Sequence, residues 1–373
     1  MGKRELLILL AFIVAGTIAF QFSAPPARES RSGFSLSKLL DSARRGIRGN
    51  QSYTAPPRTL TFAVGPDITQ LSIAGSSGGP IKILGEARND ISLELTVAST
   101  GENEAAAIAT ANRTSVSEDR VGSLLALRVV FPQEETQTSQ AVLRIPARLG
   151  VKLDGTRETS ISNVRSVDLT NPARGTTSID HIAEQVTGTQ SGGTITLASI
   201  KSLKATLTRT RARISDVTGT QSLEVSDGDT EITASQGPLE IEERRGDITI
   251  RGQRGPVKIS GADGQVRIVA ATDEVHLDLR RAEVDAELAT GVGGSLVTSD
   301  EELRVTWRDP AGVRVDAVAA NGSIDAADWG HTATTSPVDA RLDMALGTQS
   351  AAAPRVSLRN QGANIVLKKS SKK

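Results

Sequence analysis

Glycine returns every nine residues through Gly237–Ile268, whose sequence is GPLEIEERRGDITIRGQRGPVKISGADGQVRI. The series starts earlier in the chain, and its members are Gly219, Gly228, Gly237, Gly246, Gly255 and Gly264. Four residues after each glycine stands an aliphatic residue, in the order Leu223, Ile232, Ile241, Ile250, Ile259 and Ile268. A fixed period shared by two residue types indicates a repeat architecture.

Each nine-residue unit is predicted to be one short strand and one corner. Glycine provides a corner conformation that a Cβ would penalise. Ile248 and Ile250, two and four residues after Gly246, point to one side of the strand, and Thr249 points to solvent. One unit cannot bury its own apolar pair, so the units must stack. We therefore predict an all-β chain with a central β-solenoid; the spacing leaves open whether two or three units complete one coil.

The same side-chain alternation assigns an outer surface to the repeat. Residues that lie between two inward aliphatics are predicted to face solvent: Glu240, Thr249, Lys258 and Arg267. Aliphatics continue the inward pattern less strictly before and after the glycine series: Val167, Leu169, Ile179, Ile182, Ile195, Leu197, Leu203, Leu207, Leu303, Val305, Val313, Val315 and Ile324. We place the solenoid at 151–368 and a basic tail at 369–373. Since edge strands at the ends of a stack invite pairing, 309–353 is expected to cover one end.

Residues 58–150 are predicted to be a leading β region with one helix. Leu60, Phe62 and Val64 alternate as in a half-buried strand, and similar runs follow. The alanine-rich stretch 102–113 starts with two glutamates, which favours a helix there.

The N-terminus has the pattern of a signal anchor. Lys3 and Arg4 precede an uncharged apolar run that ends at Ala24, close to the ~20 residues that span a bilayer. We favour an uncleaved transmembrane helix over 1–24; a cleaved signal peptide is the alternative. Both place the rest of the chain outside the cytoplasm, so we expect a single-pass membrane protein with its bulk in the periplasm or at the cell surface.

Residues 25–57 are predicted to be a linker because they contain Pro25-Pro26, Pro56-Pro57 and Arg-Ser alternation. Within it, 34–48 has apolar residues at helical spacing among four cations. Two interpretations carry equal weight: an amphipathic helix on anionic headgroups, or a weakly helical linker with solvated cations.

Composition limits the partners. The 43 Lys+Arg residues equal the 43 Asp+Glu residues, which gives no electrostatic footprint for nucleic acid. Cysteine is absent, so a disulfide framework or a thiolate metal site is excluded. Aromatic residues make up 2% of the chain, so Ile, Val, Leu and Ala must form the core.

From about residue 58 to 368 the chain resembles the putative adhesin family of bacterial envelope proteins, a β-solenoid family largely of unknown function. The motifs that carry the resemblance are Leu60–Val64, Gly79–Gly85, the helical stretch at 102–113, Leu143–Pro146, arms such as Gly246–Ile250, and Arg355–Leu367. The resemblance implies a membrane-tethered surface or periplasmic protein. It implies no ligand and supplies no catalytic residue.

Histidines and turn acids are weak candidates for chemistry. His181, His276 and His331 stand in no metal-binding spacing, and His276 is predicted to be a solvated surface residue. Nine-residue β-rolls can bind calcium through acids in successive turns. Here Asp227, Asp229, Asp247 and Asp263 occur irregularly, so we predict solvated turn acids.

The main catalytic alternative is a polysaccharide-active β-helix enzyme. Its charged groups would come from Arg211, Arg213, Glu240, Glu242, Arg251, Arg267 and Asp278. Such an enzyme also needs aromatic platforms for sugar rings. Trp307 and Trp329 lie near the end of the repeat, where they are expected to cover its last coil.

We therefore assign no catalytic, cofactor-binding or metal-binding residue and no cofactor. The leading hypothesis is a membrane-anchored β-solenoid scaffold or adhesin-like binding module without catalytic activity, whose partner is an envelope protein or polysaccharide. The alternatives are the polysaccharide-active enzyme and an envelope sensor or regulatory accessory that acts through 34–48.

Overall fold

The computed structural model describes residues 51–74, 79–154, 158–171, 175–308, 311–335, 338–347 and 353–370. The chain from Ser52 onward is one compact unit. The predicted transmembrane helix at 1–24 and the amphipathic segment at 34–48 lie outside the described residues. Within the described ranges, no helix is both long and apolar enough to cross a bilayer.

The described chain is almost entirely β-structure, as predicted. The leading strands are β1 (Gln51–Thr54), β2 (Arg58–Ala63), β3 (Gln70–Ala74), β4 (Pro80–Glu86), β5 (Asp90–Gly101), β6 (Ser115–Val121), β7 (Leu124–Val130), β8 (Gln137–Pro146), β9 (Gly150–Asp154), β10 (Glu158–Ser162) and β11 (Ser166–Asn171). The central strands are β12 (Gly175–Val217), β13 (Gln221–Ser226), β14 (Asp229–Thr233), β15 (Leu239–Arg244), β16 (Asp247–Arg251), β17 (Val257–Ala262), β18 (Gln265–Ala271), β19 (Val275–Arg280), β20 (Glu283–Leu288), β21 (Gly294–Ser299) and β22 (Leu303–Arg308). The last strands are β23 (Val313–Ala320), β24 (Ile324–Ala326), β25 (His331–Thr332), β26 (Thr334–Thr335), β27 (Asp339–Leu346), β28 (Arg355–Gln361) and β29 (Ile365–Ser370).

Helical structure is short. The predicted helix is confirmed as α1 (Glu104–Asn112), and single 3₁₀ turns occupy Glu134–Thr136 and Ala327–Trp329. Asn103 caps α1 because its side chain accepts a hydrogen bond from the backbone N–H of Ala106 at 2.9 Å. β-structure begins before the predicted end of the linker at residue 57. Residues 51–54 form β1, which pairs with β5.

Two nine-residue units complete one coil. In the parallel pairs β13–β15 and β14–β16, each residue lies beside the residue 18 positions later: Leu223 pairs with Ile241 and Ile232 with Ile250. Alternate strands therefore build two separate ladders. Ladder 1 contains β13, β15, β17, β19 and β21, ladder 2 contains β14, β16, β18, β20 and β22, and β12 contributes to both. This pairing answers the question that the spacing left open.

The core lies between the two ladders, and the predicted side-chain register is correct. Ile232, Ile250 and Ile259 are buried, whereas Glu240 and Lys258 are exposed. The ladders also continue into the leading region, where β3 pairs with β9 and β4 with β10. The strands at 58–150 are thus continuous with those at 151–368 in one stack.

The C-terminal strands do not occupy the end of the stack. β28 lies between β21 and β23 in ladder 1, and β29 lies between β22 and β24 in ladder 2. Strands β23 and β24, from the stretch expected to cover one end, form the outermost parallel coil. Antiparallel β27 and β25 then pair with β23 and β24 respectively.

At the N-terminal end, α1 packs on β5 and β6 forms an edge. Among the described residues, β6 pairs with β7 alone. Glu118 and Arg120 of β6 stand opposite the buried Leu127 and Leu125, on the core-facing side of the pair. They form a 2.6 Å ion pair, and Arg120 also donates to the carbonyl oxygen of Ala63. Charges on the core-facing side of an edge strand discourage further pairing.

Glycines of both corners stack closely on the backbone of the preceding coil, but only those of one corner also take the left-handed conformation, which corrects part of the expectation. Gly237 and Gly255 have left-handed φ values of 85° and 121°. Gly246 does not; an added Cβ there would lie 2.7 Å from the carbonyl oxygen of Gly228 in the preceding coil. In that column, the residue before the glycine takes the left-handed conformation, for example Arg245 at φ 56°.

Candidate functional site

The charged residues considered for a polysaccharide-active enzyme are divided between the two ladders. Arg211, Arg213, Arg251 and Arg267 belong to ladder 2, whereas Glu240, Glu242 and Asp278 belong to ladder 1. The two ladders face away from each other across the core, so the whole set does not converge, but Arg211, Arg213 and Arg251 line one open groove on ladder 2 with Asp229, Glu231 and Asp247.

Many outward charges pair with the residue 18 positions away, in the neighbouring coil. Lys258 Nζ lies 2.7 Å from a carboxylate oxygen of Glu240, and Arg211 lies 3.2 Å from Asp229. Arg251 is 3.6 Å from Glu231 across a diagonal. Such exposed pairs are individually weak. Together they show a surface on which opposite charges alternate along the stack.

One corner of the stack carries a column of charges that sequence reasoning did not identify. Its positions are Arg209, Asp227, Arg245, Asp263, Arg281 and Asp300, and we call it the corner column. All six side chains are exposed, and all six residues have φ between 48° and 68°. Residues other than glycine rarely occupy this left-handed region of backbone conformation. The column therefore places alternating charges where glycine would be conformationally favoured.

Hydrogen bonds join members of the corner column. Arg245 donates to Asp227 and Arg281 donates to Asp263, each with a shortest distance of 2.6 Å. These hydrogen bonds lower the pKa of both aspartates, and they raise the pKa of both arginines. The sequence contained a signal for the column, since Arg and Asp alternate at 18-residue spacing from Arg209 to Arg281, but recognising it required knowledge that two units form one coil.

The turn acids of the calcium alternative are distributed differently from a calcium ladder. Asp227 and Asp263 bind arginines in the corner column, and Asp229 binds Arg211. Within the described ranges, no three His, Asp or Glu side chains are arranged to hold a metal ion.

The histidines lie on the surface. His276 is exposed as predicted, with Nε2 3.1 Å from Glu274. His181 occupies a corner at φ 55° and lies 2.6 Å from Asp180. His331 is exposed in β25.

The expected position of Trp307 was wrong. Trp307 is fully buried in the coil of β22, and the coils β28–β29 and β23–β24 lie beyond it. The insertion of the C-terminal strands produces this difference, which spacing alone does not encode. Trp329 lies in the outermost coil, where its ring is 5.4 Å from the ammonium group of Lys369.

Sequence reasoning also missed a buried acid, Glu243. Its side chain is 4% exposed, and one carboxylate oxygen accepts a 2.6 Å hydrogen bond from the backbone N–H of Gly246. The other oxygen, Oε2, is buried without a hydrogen-bond partner. The strand alternation already places residue 243 inward, in line with Leu239 and Ile241.

Comparisons with known proteins yield two solved structures. One is described as a putative cell adhesion protein from Clostridium sporogenes; it is 10% identical, covers 84% of this chain and 100% of its own, and has a TM-score of 0.20. The other is described as a putative adhesin from Bacteroides fragilis; it is 10% identical, covers 84% of this chain and 97% of its own, and has a TM-score of 0.25. Both descriptions name the class that the sequence motifs resemble. At these values, the two structures assign no ligand or partner to this chain.

No family model matches the chain, and no curated protein matches it.

Proposed function

We propose that the protein is an extracytoplasmic scaffold or adhesin-like binding module, anchored by its N-terminal segment and without catalytic activity. The observation that supports this most strongly is the pairing of outward charges between successive coils, as in Lys258 with Glu240. Catalysis by acid–base groups needs unlike carboxyls or bases gathered at one place. Here the acids and bases of the ladder 2 groove pair with each other, as Arg211 does with Asp229 and Arg251 with Glu231, and the remaining outward groups are distributed over both ladders.

A stack of this kind is well suited to presenting a binding surface. The inward aliphatics, such as Ile250 and Ile259, determine the fold, so outward residues can differ without disturbing it. Repeat stacks in general use their extended outer surfaces for binding. We therefore propose that one of the two outward faces contacts an envelope protein or polysaccharide.

The anchoring part of the proposal rests on Lys3, Arg4 and the apolar run to Ala24. Cells that make the full chain are expected to retain it in the membrane pellet at high salt and to release it with detergent. A variant that lacks residues 6–20 is the control and should appear in the soluble fraction. Release of the intact chain by salt alone would contradict an anchor.

The binding part is tested with the full chain in detergent and isolated envelope polysaccharide or envelope membranes. One triple variant, Glu240→Ser, Lys258→Ser and His276→Ser, alters ladder 1, and a second, Glu231→Ser, Thr249→Ser and Arg267→Ser, alters ladder 2. One set should reduce retention while the other serves as its control, with melting midpoints unchanged. Release of new reducing ends from the polysaccharide, or equal retention by both sets, would contradict a non-catalytic, one-faced binding module.

A further inference from the structure

Glu243 is an inward-facing acid that lies next to two glycines of the following coil. In ladder 1 its neighbours in the same inward column are Val225 in the preceding coil and Gly261 in the next. A Cβ on Gly261 would lie 2.9 Å from the unpaired Oε2 of Glu243, and a Cβ on Gly264 would overlap Oε1. Each added Cβ would also overlap a backbone carbonyl oxygen of the preceding coil, that of Glu243 or that of Gly246, so both the backbone and the carboxyl group require glycine there. The sequence thus places an acid in an apolar column and leaves space around it.

The surroundings of this carboxyl disfavour its charge. Burial is the main cause that raises the pKa of Glu243, and the carboxylates of Asp263 and Asp247 add to the effect. The hydrogen bond from Gly246 opposes it. Glu243 also lines an open groove with the exposed residues Glu224, Glu242 and Arg244, whereas Arg245 is exposed and bound to Asp227.

The elements packed against Glu243 contribute an aliphatic, a glycine and two acids. β13 presents Val225 and β17 presents Gly261. Asp247 stands at the start of β16, and Asp263 stands in the corner before β18, where it is bound to Arg281. Oε2 consequently has no hydrogen-bond partner among the described residues.

We propose that Glu243 is a pH-sensitive latch for the coil formed by β15 and β16, closed when its carboxyl is neutral and loosened when the carboxyl ionises. A buried polar group without a partner is costly, and an ionised one is costlier still. Opening of the coil would hydrate the carboxylate and remove that cost. This property is independent of the binding function proposed above.

The direction of the effect follows from proton linkage. The closed coil binds the Glu243 proton more tightly than the open coil, because the pKa is raised in the closed state. Below the ordinary pKa range of glutamic acid, Glu243 is protonated in both the closed and the open coil, and the latch contributes its full stability. As pH rises from that range through the raised pKa, opening releases one proton, so the opening equilibrium rises by up to about tenfold per pH unit.

Hydrogen exchange of the full chain tests the latch. Amide exchange over 239–264, corrected for its intrinsic pH dependence, is compared between about pH 5 and pH 8, a range that extends above the ordinary pKa of glutamic acid. Wild-type protein should lose protection in this segment as pH rises, while 274–290 serves as an internal reference. Glu243→Gln should abolish the pH dependence. Glu242→Gln, next in sequence but exposed, is the matched control and should behave as wild type.

Two outcomes would overturn the latch: an unchanged pH dependence in Glu243→Gln, or its loss in Glu242→Gln. Glu243→Leu gives a second variant in case the glutamine protein fails to fold, because Val225 and Leu279 occupy the same inward column. The leucine protein should show the same pH-independent protection. If amide exchange in the Glu243→Leu protein still depended on pH, that result would also contradict the proposal.

Discussion

At the corner between β15 and β16 the chain turns through Arg245 and Gly246, and the two residues have different roles. Arg245 takes the left-handed conformation, while Gly246 permits close stacking on Gly228. The nine-residue glycine period predicted corners at the right places. It did not predict which residue would turn, because the period merges two glycine columns, one at each corner, that repeat every 18 residues.

Gly246→Ala should therefore destabilise the protein through contact rather than through backbone conformation. The new Cβ would lie 2.7 Å from the backbone oxygen of Gly228, which cannot move without shifting its coil. We expect a loss of about 2–3 kcal/mol in the free energy of unfolding, measured by denaturant titration.

Gly252→Ala is the matched control for that measurement. Gly252 has φ 65°, but nothing lies within 4 Å of an added Cβ, so only the conformational cost of roughly 1 kcal/mol applies. A loss for Gly252→Ala that equals or exceeds the loss for Gly246→Ala would contradict the stacking role.

Individual strands follow from the sequence more reliably than corners do. Alternation places Ile250 inward and Thr249 outward, and the structure agrees because a strand of period two admits only two registers. Glu243 follows the same alternation and points inward although its side chain is polar. A prediction that assigns only apolar residues to the core does not identify Glu243 as buried, because residues of the neighbouring coils determine its environment.

Ile250→Asp and Thr249→Asp test the register of β16. Ile250 is fully buried, so an aspartate there should cost at least about 3 kcal/mol or prevent folding. Thr249→Asp places the same group on the outside and should change the free energy of unfolding by less than about 1 kcal/mol. Equal changes in thermal midpoint would show that the assigned register is wrong.

The corner column predicts a stability effect at acid pH. Asp263 has a lowered pKa because Arg281 donates to it, so the pair stabilises the fold above the ordinary value of 3.8. That contribution is lost as pH falls below 3.8 toward the lowered pKa. The melting midpoint of wild type should exceed that of Asp263→Asn at neutral pH, and the difference should vanish in acid.

Arg281→Gln supplies the control for this effect. Without the guanidinium of Arg281, the pH-dependent effect of Asp263→Asn on the midpoint should become smaller, and only the weaker influence of Arg245 and Arg244 on the pKa of Asp263 should remain. A pH-dependent difference of undiminished size in the Arg281→Gln background would assign the effect to another group.

For the whole molecule, the sequence predicted a stack but not its threading. The repeat predicts that consecutive units stack on each other. It does not predict that strands from a distant part of the chain form some of the coils. The C-terminal strands β28 and β29 insert between β21–β22 and β23–β24, and they pair with residues distant in sequence, for example Leu358 with Leu296 on one side and Val356 with Val315 on the other. Local spacing holds no information on such a contact. Likewise, outward residues can be assigned to one or the other face of the stack only when the number of units in a coil is known.

The central claim is that two nine-residue units make one coil, and paired cysteines test it directly because the chain contains no cysteine of its own. Neighbouring strands lie ~4.8 Å apart, within the Cα separation that a disulfide allows. Glu240→Cys with Lys258→Cys, 18 residues apart, should cross-link in the folded full chain under mild oxidation, as measured by mass spectrometry. Glu240→Cys with Thr249→Cys, or with Arg267→Cys, should not cross-link. A cross-link at nine residues would indicate one unit per coil, a cross-link at 27 would indicate three, and either would contradict the two-ladder structure.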